Sequence, residues 1–178
     1  MKRLIVIMLF AVVAASGQIT QTEITKATPD DSKPNSAAVP DVYAINTNFE
    51  RIAILRFKYK VDLLASMEKA IKEEGIKNAV ILSAAGSVRD YHVHSVSNRD
   101  LPSRNIFTKD PTDPADLVSM NGYVIDGRIH AHMTLTNGRH AFGGHLEPET
   151  HVFTFAIVTL GVLPGDLDLS KIDDKSYR

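Results

Sequence analysis

Four of the seven histidines of this 178-residue chain lie in one stretch, GRIHAHMTLTNGRHAFGGHL, residues 127–146. His130 and His132 form an H-x-H pair, and His145 ends a G-G-H sequence. Neutral imidazole is a common ligand for zinc and for other divalent transition metals. These three side chains, called the histidine trio below, can share one metal ion only if the fold brings them together.

The Asn137-Gly138 pair predicts the hairpin turn that positions the histidine trio. A type I′ turn needs positive φ at both central residues, and Asn-Gly is its most favoured sequence. A two-residue loop at this point places His132 opposite Gly143 and His130 opposite His145. Since side chains alternate between the two faces of a strand, all three histidines then project from one face. The other face is expected to be the core side, with Ile129, Ala131, Met133, Leu135, His140 and Phe142.

Three histidines with one open coordination position are the ligand pattern of a catalytic zinc site. Glu147 falls on the same face, two residues beyond His145, and is a candidate general base or orienting group. Gly143 and Gly144 are expected to let a metal or a small ligand approach the backbone. Three imidazoles also suit nickel, cobalt and iron. The alternative interpretation is a surface of histidines that binds nothing.

The remaining histidines are weaker candidates for metal ligands. His92 and His94 form a second H-x-H pair, but no third ligand of known register joins them, so a solvated strand face is expected. His140 is assigned to the core side of the hairpin, and His151 has no evident partner. The sequence contains no G-x-S-x-G nucleophile elbow and no glycine-rich phosphate loop.

The first residues predict export from the cytoplasm. MKR is followed by the apolar run LIVIMLFAVVAA and by SGQ, which is the pattern of a signal peptide over residues 1–17. Cleavage is expected after Ala15 or Gly17, and an uncleaved anchor is the alternative. The mature protein is then expected in the periplasm or outside the cell, without a stable membrane span.

Charge and cysteine content exclude several classes of function. Loss of Lys2 and Arg3 from the 20 basic residues leaves 18 against 21 acidic residues, so phosphate backbones are poor partners. The chain has no cysteine, which excludes disulfides, thiolate metal ligands and a cysteine nucleophile. The fold must therefore be stabilised by its apolar core.

The apolar pattern predicts a flexible leader over residues 18–46 and one α+β domain over residues 47–178. A helix is expected after Asp62 as N-cap, with Gly75 just beyond its end. Residues 98–116 are expected to form a polar loop. Strands of a mostly antiparallel sheet are predicted over 51–59, 78–88, 90–97, 117–125, 128–136, 139–147 and 151–161.

Three segments, LSAAGSV, LVSMNGYVI and GRIHAHMTLTNGRHAFGGHL, resemble the PPC (plants and prokaryotes conserved) domain family over about residues 50–165. The H-x-H…G-G-H-L pattern is the most specific of these. The resemblance implies an α+β fold with an antiparallel sheet, a homotrimer and, as in some prokaryotic members, zinc held by the histidine trio. Plant members carry the domain beside AT-hooks in DNA-binding proteins, whereas this chain has no Arg-Gly-Arg AT-hook.

The sequence therefore leads to three hypotheses. The first is an exported, trimeric protein whose three-histidine zinc site binds, or hydrolyses, an unidentified small molecule. The second is a DNA-binding or regulatory module, as the family association suggests. The third is a structural trimer without catalysis.

Overall fold

A computed structural model of the protein describes residues 20–29 and 36–173. The expected signal peptide, residues 1–17, lies outside the described residues. Within the two described ranges, no helix has the length and apolar character that a membrane crossing requires.

The described residues form one sheet of nine strands and one α-helix. The order across the sheet is β1-β5-β4-β8-β7-β6-β3-β9-β2, and every neighbouring pair is antiparallel. This arrangement confirms the predicted α+β class. The elements, in chain order, are β1 (Gln21–Ile24), β2 (Arg51–Phe57), α1 (Leu63–Glu73), β3 (Asn78–Val88), β4 (Tyr91–Val96), β5 (Asn105–Asp110), β6 (Ala115–Ile125), β7 (Arg128–Thr136), β8 (Ala141–Leu146) and β9 (Val152–Leu163).

Helix α1 covers one face of the sheet and begins and ends where the sequence predicts. Asp62 is the N-cap, and its carboxylate accepts a hydrogen bond of 2.9 Å from the Ala65 amide. Gly75 follows the helix with a φ of 64°, which glycine adopts without a steric penalty. The apolar face of the helix is buried in the core, through Leu63, Met67 and Ile71. Burial of each such side chain contributes about 1.5–3 kcal/mol to folding.

Strand β7 separates the core from the histidine trio. Ala131, Met133 and Leu135 are buried on the helix side, as the alternation predicts. His130 and His132 therefore project from the opposite face. The same outer face keeps apolar side chains exposed to solvent, among them Ile54 on β2, Val118 on β6 and Phe155 on β9.

The β7–β8 hairpin differs from its predicted form, because the loop has four residues, 137–140, instead of two. Thr136 pairs with Ala141, and His132 lies opposite His145. Asn137 does not adopt positive φ; its side chain accepts hydrogen bonds from the amides of the loop and donates one to Asp113. The predicted register was therefore wrong by two residues. Since a shift of two keeps every side chain on its face, the histidine trio still shares one face.

The two-residue turn with positive φ occurs one hairpin earlier. Asp126 and Gly127 have φ values of 50° and 73°, and they connect Ile125 of β6 directly to Arg128 of β7. This pair satisfies the requirement of a type I′ turn.

Two strands were not predicted from the sequence. β1 lies within the expected flexible leader, and β5 lies within the expected polar loop over 98–116. They pair with each other, and β5 also pairs with β4. β1 is fully exposed and β5 is mostly half-buried. Hydrogen bonds to neighbouring strands therefore contribute more to their position in the sheet than burial of apolar side chains does.

Candidate metal centre

The two histidines of β7 present their ring nitrogens to the same point in space. The Nε2 atoms of His130 and His132 are 3.1 Å apart, and the rings are stacked with centroids 5.2 Å apart. Two nitrogens bound to one tetrahedral zinc ion at 2.0–2.1 Å would lie about 3.3 Å from each other. The pair therefore needs only a small adjustment to share an ion.

His145 of β8 completes the histidine trio. It pairs directly with His132 across the two strands. Its ring centroid lies 5.0 Å from that of His130 and 5.3 Å from that of His132, and it meets both rings edge-on. The structure thus brings the three histidines selected from the sequence into one cluster.

His94 is a fourth member of this cluster, and the prediction of a solvated strand face for it was wrong. Strand β4 pairs with β8, which places His94 opposite His145. The two rings are stacked with centroids 4.5 Å apart, and Phe107 of β5 covers the other side of His94 at 4.9 Å. The second H-x-H pair was the available signal, but the β4–β8 pairing could not be read from local sequence. The other member of that pair, His92, contacts the Pro148 carbonyl oxygen through Nδ1 at 3.0 Å.

Glu147 connects His94 and His145 through one carboxylate oxygen. Its Oε1 atom lies 2.5 Å from His94 Nδ1 and 3.3 Å from His145 Nδ1. The second of these contacts lacks hydrogen-bond geometry, so His145 Nδ1 is buried without a hydrogen-bond partner among the described residues. A buried polar atom in this state destabilises the fold unless a ligand or a proton compensates for it. One candidate ligand atom from each of His94, His145 and Glu147 lies within 4.8 Å of the others. Among the described residues these three, and not the histidine trio, meet this distance condition, and they form the second candidate metal group, which shares His145 with the trio.

Asp173 orients His130 from the segment that follows the sheet. Its Oδ2 atom lies 2.9 Å from His130 Nδ1. An Nδ1 hydrogen donated to this carboxylate leaves the Nε2 lone pair free, which is the arrangement that surrounds metal-ligating histidines in proteins. No local sequence pattern indicates this pair, because 43 residues separate the two side chains.

The electrostatic environment favours neutral imidazoles. Burial lowers the pKa of His132 below its ordinary value of 6.5, and His130 and His94 lower it further, although part of the His132 side chain remains exposed. Burial also lowers the pKa of His145, followed by the effect of His94, and Glu147 only partly offsets these. Metal binding requires neutral imidazole, so these shifts favour it near neutral pH.

Gly143 and Gly144 allow the strands of the sheet to approach each other closely. A Cβ atom on Gly143 would lie 2.0 Å from the Met133 carbonyl oxygen, and one on Gly144 would lie 2.3 Å from the His94 carbonyl oxygen. From the sequence alone, these glycines are expected to leave room for a metal or a ligand. In the structure, backbone of β7 and β4 occupies that room.

Two other histidines have surroundings that differ from those predicted. His140 is exposed in the 137–140 loop, where its ring lies 5.5 Å from that of Phe142, because the longer loop moves it off the core face. His151 has a partner, since its Nδ1 atom lies 2.9 Å from Asp90 Oδ1.

Comparison with known proteins gives a family match over most of the described chain. The family profile described as the Plants and Prokaryotes Conserved (PCC) domain matches residues 44–164. This is the PPC family that the sequence motifs resemble. No curated protein matches the chain.

Several solved structures are similar to this fold. A metal-containing protein from Archaeoglobus fulgidus is 25% identical, with a TM-score of 0.58 over 70% of this chain and 87% of its own. A PPC protein from Pyrococcus horikoshii is 26% identical, with a TM-score of 0.56 and the same coverage of 70% and 87%. A candidate DNA-binding protein from Ralstonia eutropha is 22% identical, with a TM-score of 0.51 over 65% of this chain and 80% of its own, and this likeness concerns the fold alone.

Proposed function

The chain belongs to the Plants and Prokaryotes Conserved domain family, and we propose that it binds one divalent metal ion, zinc, through the histidine trio. The observation that carries this proposal is the convergence of four imidazoles and a half-buried carboxylate on one face of the sheet. The similar structure from Archaeoglobus fulgidus is described as a metal-containing protein, which supports metal binding as the function of this chain.

The donor set fits a borderline-soft divalent cation. Three imidazole nitrogens are typical ligands of zinc in catalytic sites, where the fourth position takes water or a substrate. The unpartnered His145 Nδ1 atom gains a partner if an ion or its outer ligands enter the cluster. The 3.1 Å hydrogen bond between the two Nε2 atoms would then be replaced by two metal–nitrogen bonds. The chain has no cysteine, so the site cannot be a thiolate site.

We infer that the open position of this site receives a small ligand. A bound divalent ion would supply Lewis acidity there and lower the pKa of a coordinated water. Glu147 is the candidate general base for hydrolysis of such a ligand, because its carboxylate contacts two of the imidazoles and is largely shielded from solvent. Asp173 would hold the His130 ring in its binding orientation.

Two substitutions distinguish the histidine trio from the second candidate group. His132 belongs only to the trio, and His94 belongs only to the group with Glu147. Zinc titration of His132→Ala and His94→Ala by calorimetry is the experiment. The proposal expects His132→Ala to weaken zinc binding by at least about a hundredfold and His94→Ala by about tenfold or less. The opposite order would assign the ion to His94, His145 and Glu147.

We propose that the protein works outside the cytoplasm, on the strength of its N-terminal sequence pattern. The basic start, the apolar run and the small residues at 15–17 support export and cleavage after Ala15 or Gly17. N-terminal sequencing of the protein recovered from the periplasm or medium tests this. A mature chain that still begins at Met1 would contradict it.

We further propose a homotrimer. The exposed apolar side chains of the outer sheet face, including Ile54, Val118 and Phe155, support association because such surface is unfavourable in water. Sedimentation equilibrium would give three times the mass of one chain if the proposal holds. A monomer would contradict it.

The alternative function is binding of duplex DNA. It is suggested by the similar structures that are described as candidate DNA-binding proteins. These relatives are less than 25% identical, and the sequence carries neither an AT-hook nor excess positive charge. Tight, salt-sensitive binding of a DNA duplex would favour this function over the proposed one.

A further inference from the structure

A cleft leads from the histidine trio to an apolar depression beside the segment that precedes β2. Its first cavity has a volume of about 420 Å³ and is lined by His130, His132 and Asp173. Its second cavity has a volume of about 650 Å³ and is lined by side chains that include Tyr43 and Phe49. The two cavities adjoin, because Val80, Tyr123 and Ile172 line both.

The two ends of the cleft differ in chemistry. The histidine end contains ring nitrogens, the Asp173 carboxylate and the Asn121 amide. The far end is mainly apolar, with Ile45, Leu163 and Leu169 beside the two aromatic rings. The Lys171 ammonium lies beside this end, 5.6 Å from the centroid of the Tyr43 ring. A molecule that fills both ends must therefore have one polar, metal-binding group and one apolar part.

We propose that the ligand of this protein is a small monocarboxylate with an aliphatic or aromatic tail, an inference that rests on the proposed metal site. A divalent ion held by three neutral imidazoles keeps its double positive charge, so an anionic oxygen donor is favoured at the open position. The carboxylate of the ligand binds there. The tail passes Tyr123 and Ile172 and ends against Tyr43 and Phe49.

The exposure of the wall residues supports an apolar tail. Tyr123, Phe49 and Ile172 leave 44%, 50% and 38% of their surface in contact with solvent. Covering this apolar surface with a hydrocarbon chain is favourable, by roughly 25 cal/mol for each square ångström removed from water. The cavity volumes fall in the range of about 300–1,000 Å³ that small-molecule sites occupy.

The test is a titration of the cobalt-loaded full chain with acetate, butyrate, hexanoate and octanoate. The visible absorption of protein-bound cobalt reports a carboxylate at the metal. We expect the affinity to rise roughly two- to fourfold for each added methylene group as the tail enters the apolar end. Cobalt content measured on the same samples reports metal binding separately.

A matched pair of variants locates the tail. Tyr43→Ala should weaken octanoate binding about tenfold and leave acetate binding unchanged, because Tyr43 lies at the far end of the cleft. Tyr59→Ala is the control, since Tyr59 is 50% exposed, close to the 44% of Tyr43, and lines neither cavity. It should change neither affinity.

Three outcomes would overturn the inference. Equal affinity for acetate and octanoate in the cobalt-loaded protein would reject the apolar tail and leave the metal site intact. Equally tight octanoate binding with and without cobalt would reject the carboxylate–metal contact. Failure to take up cobalt would reject the proposed function itself, and this inference with it.

Discussion

His130 Nδ1 lies 2.9 Å from the carboxylate oxygen of Asp173, a residue of the segment that follows the last strand. The same imidazole lies 3.1 Å from its neighbour His132 through Nε2. The His130 ring thus has the Asp173 carboxylate on one side and the His132 imidazole, another candidate metal ligand, on the other. The segment after β9 therefore takes part in shaping a candidate site whose four histidines all lie in the sheet.

Removal of this carboxylate should weaken metal binding without removing a ligand. Asp173→Ala frees the His130 ring to rotate and lowers its basicity, so we expect zinc affinity to fall by about 10- to 100-fold. Calorimetric titration measures the change. Asp100→Ala, in an exposed loop distant in sequence, is the control and should bind zinc like the unmodified protein. Equal zinc affinity in Asp173→Ala and Asp100→Ala would show that Asp173 does not contribute to the metal site.

Gly144 should be intolerant of even a small side chain. Alanine at this position would bring its Cβ atom 2.3 Å from the His94 carbonyl oxygen, so strands β4 and β8 would have to separate. We expect a loss of about 3 kcal/mol or more in the free energy of unfolding, measured with urea. Gly138→Ala is the comparison, because among the described residues no atom beyond its chain neighbours lies within 4 Å of the added Cβ, and only the φ of 79° is unfavourable. It should lose about 1 kcal/mol.

Asp62 should stabilise both the start of the helix and the loop before β9. One carboxylate oxygen accepts from the Ala65 amide at 2.9 Å, and the other accepts from the Glu149 amide at 2.7 Å. Asp62→Ala leaves both amides without this partner and should reduce the free energy of unfolding by about 1–2 kcal/mol. Asp62→Asn retains one oxygen acceptor and should lose less. Equal losses of unfolding free energy in Asp62→Ala and Asp62→Asn would mean that the oxygen acceptor retained by asparagine contributes nothing to stability.

Asp110 should make stability depend on pH in the acid range. Burial raises the pKa of this carboxyl, but hydrogen bonds from Thr20, Thr112 and Asp113 outweigh it and bring the pKa below the ordinary value of 3.8. Because the folded-state pKa is the lower one, this contribution to stability is fully present above pH 3.8 and is lost as the pH falls through the folded-state pKa.

Urea unfolding of the unmodified protein and of Asp110→Asn, each measured from pH 7 down to pH 2.5, tests this contribution. The variant should be less stable at neutral pH, and the gap between the two proteins should narrow below about pH 4. A gap that stays constant over the whole range would show that ionisation of Asp110 does not contribute.

The histidine trio could be predicted from the sequence because local rules governed its placement. The alternation of β7 and the position of the hairpin put His130, His132 and His145 on one face, and this survived an error in the loop. The error arose because Asn137 uses its side chain to cap a four-residue loop instead of adopting positive φ. A shift of an even number of residues leaves the faces unchanged, so the placement of the three histidines on one face was insensitive to the error.

The rest of the site depends on contacts between segments that are distant in the chain. His94 joins the cluster only because β4 lies beside β8, and Asp173 reaches His130 across the end of the sheet. Strands β1 and β5 were missed for the same reason, since they are held mainly by hydrogen bonds to other strands. The hydrophobic periodicity within a segment does not indicate which strands pair with each other.

The most direct test of the proposed metal site is the metal content of the mature protein, purified without chelator and without a histidine tag. It should be measured by elemental analysis beside a variant that combines His130→Ala, His132→Ala and His145→Ala. We expect about one zinc ion per chain in the unmodified protein and none in the triple variant. Absence of metal from the unmodified protein, even after incubation with zinc, would contradict it.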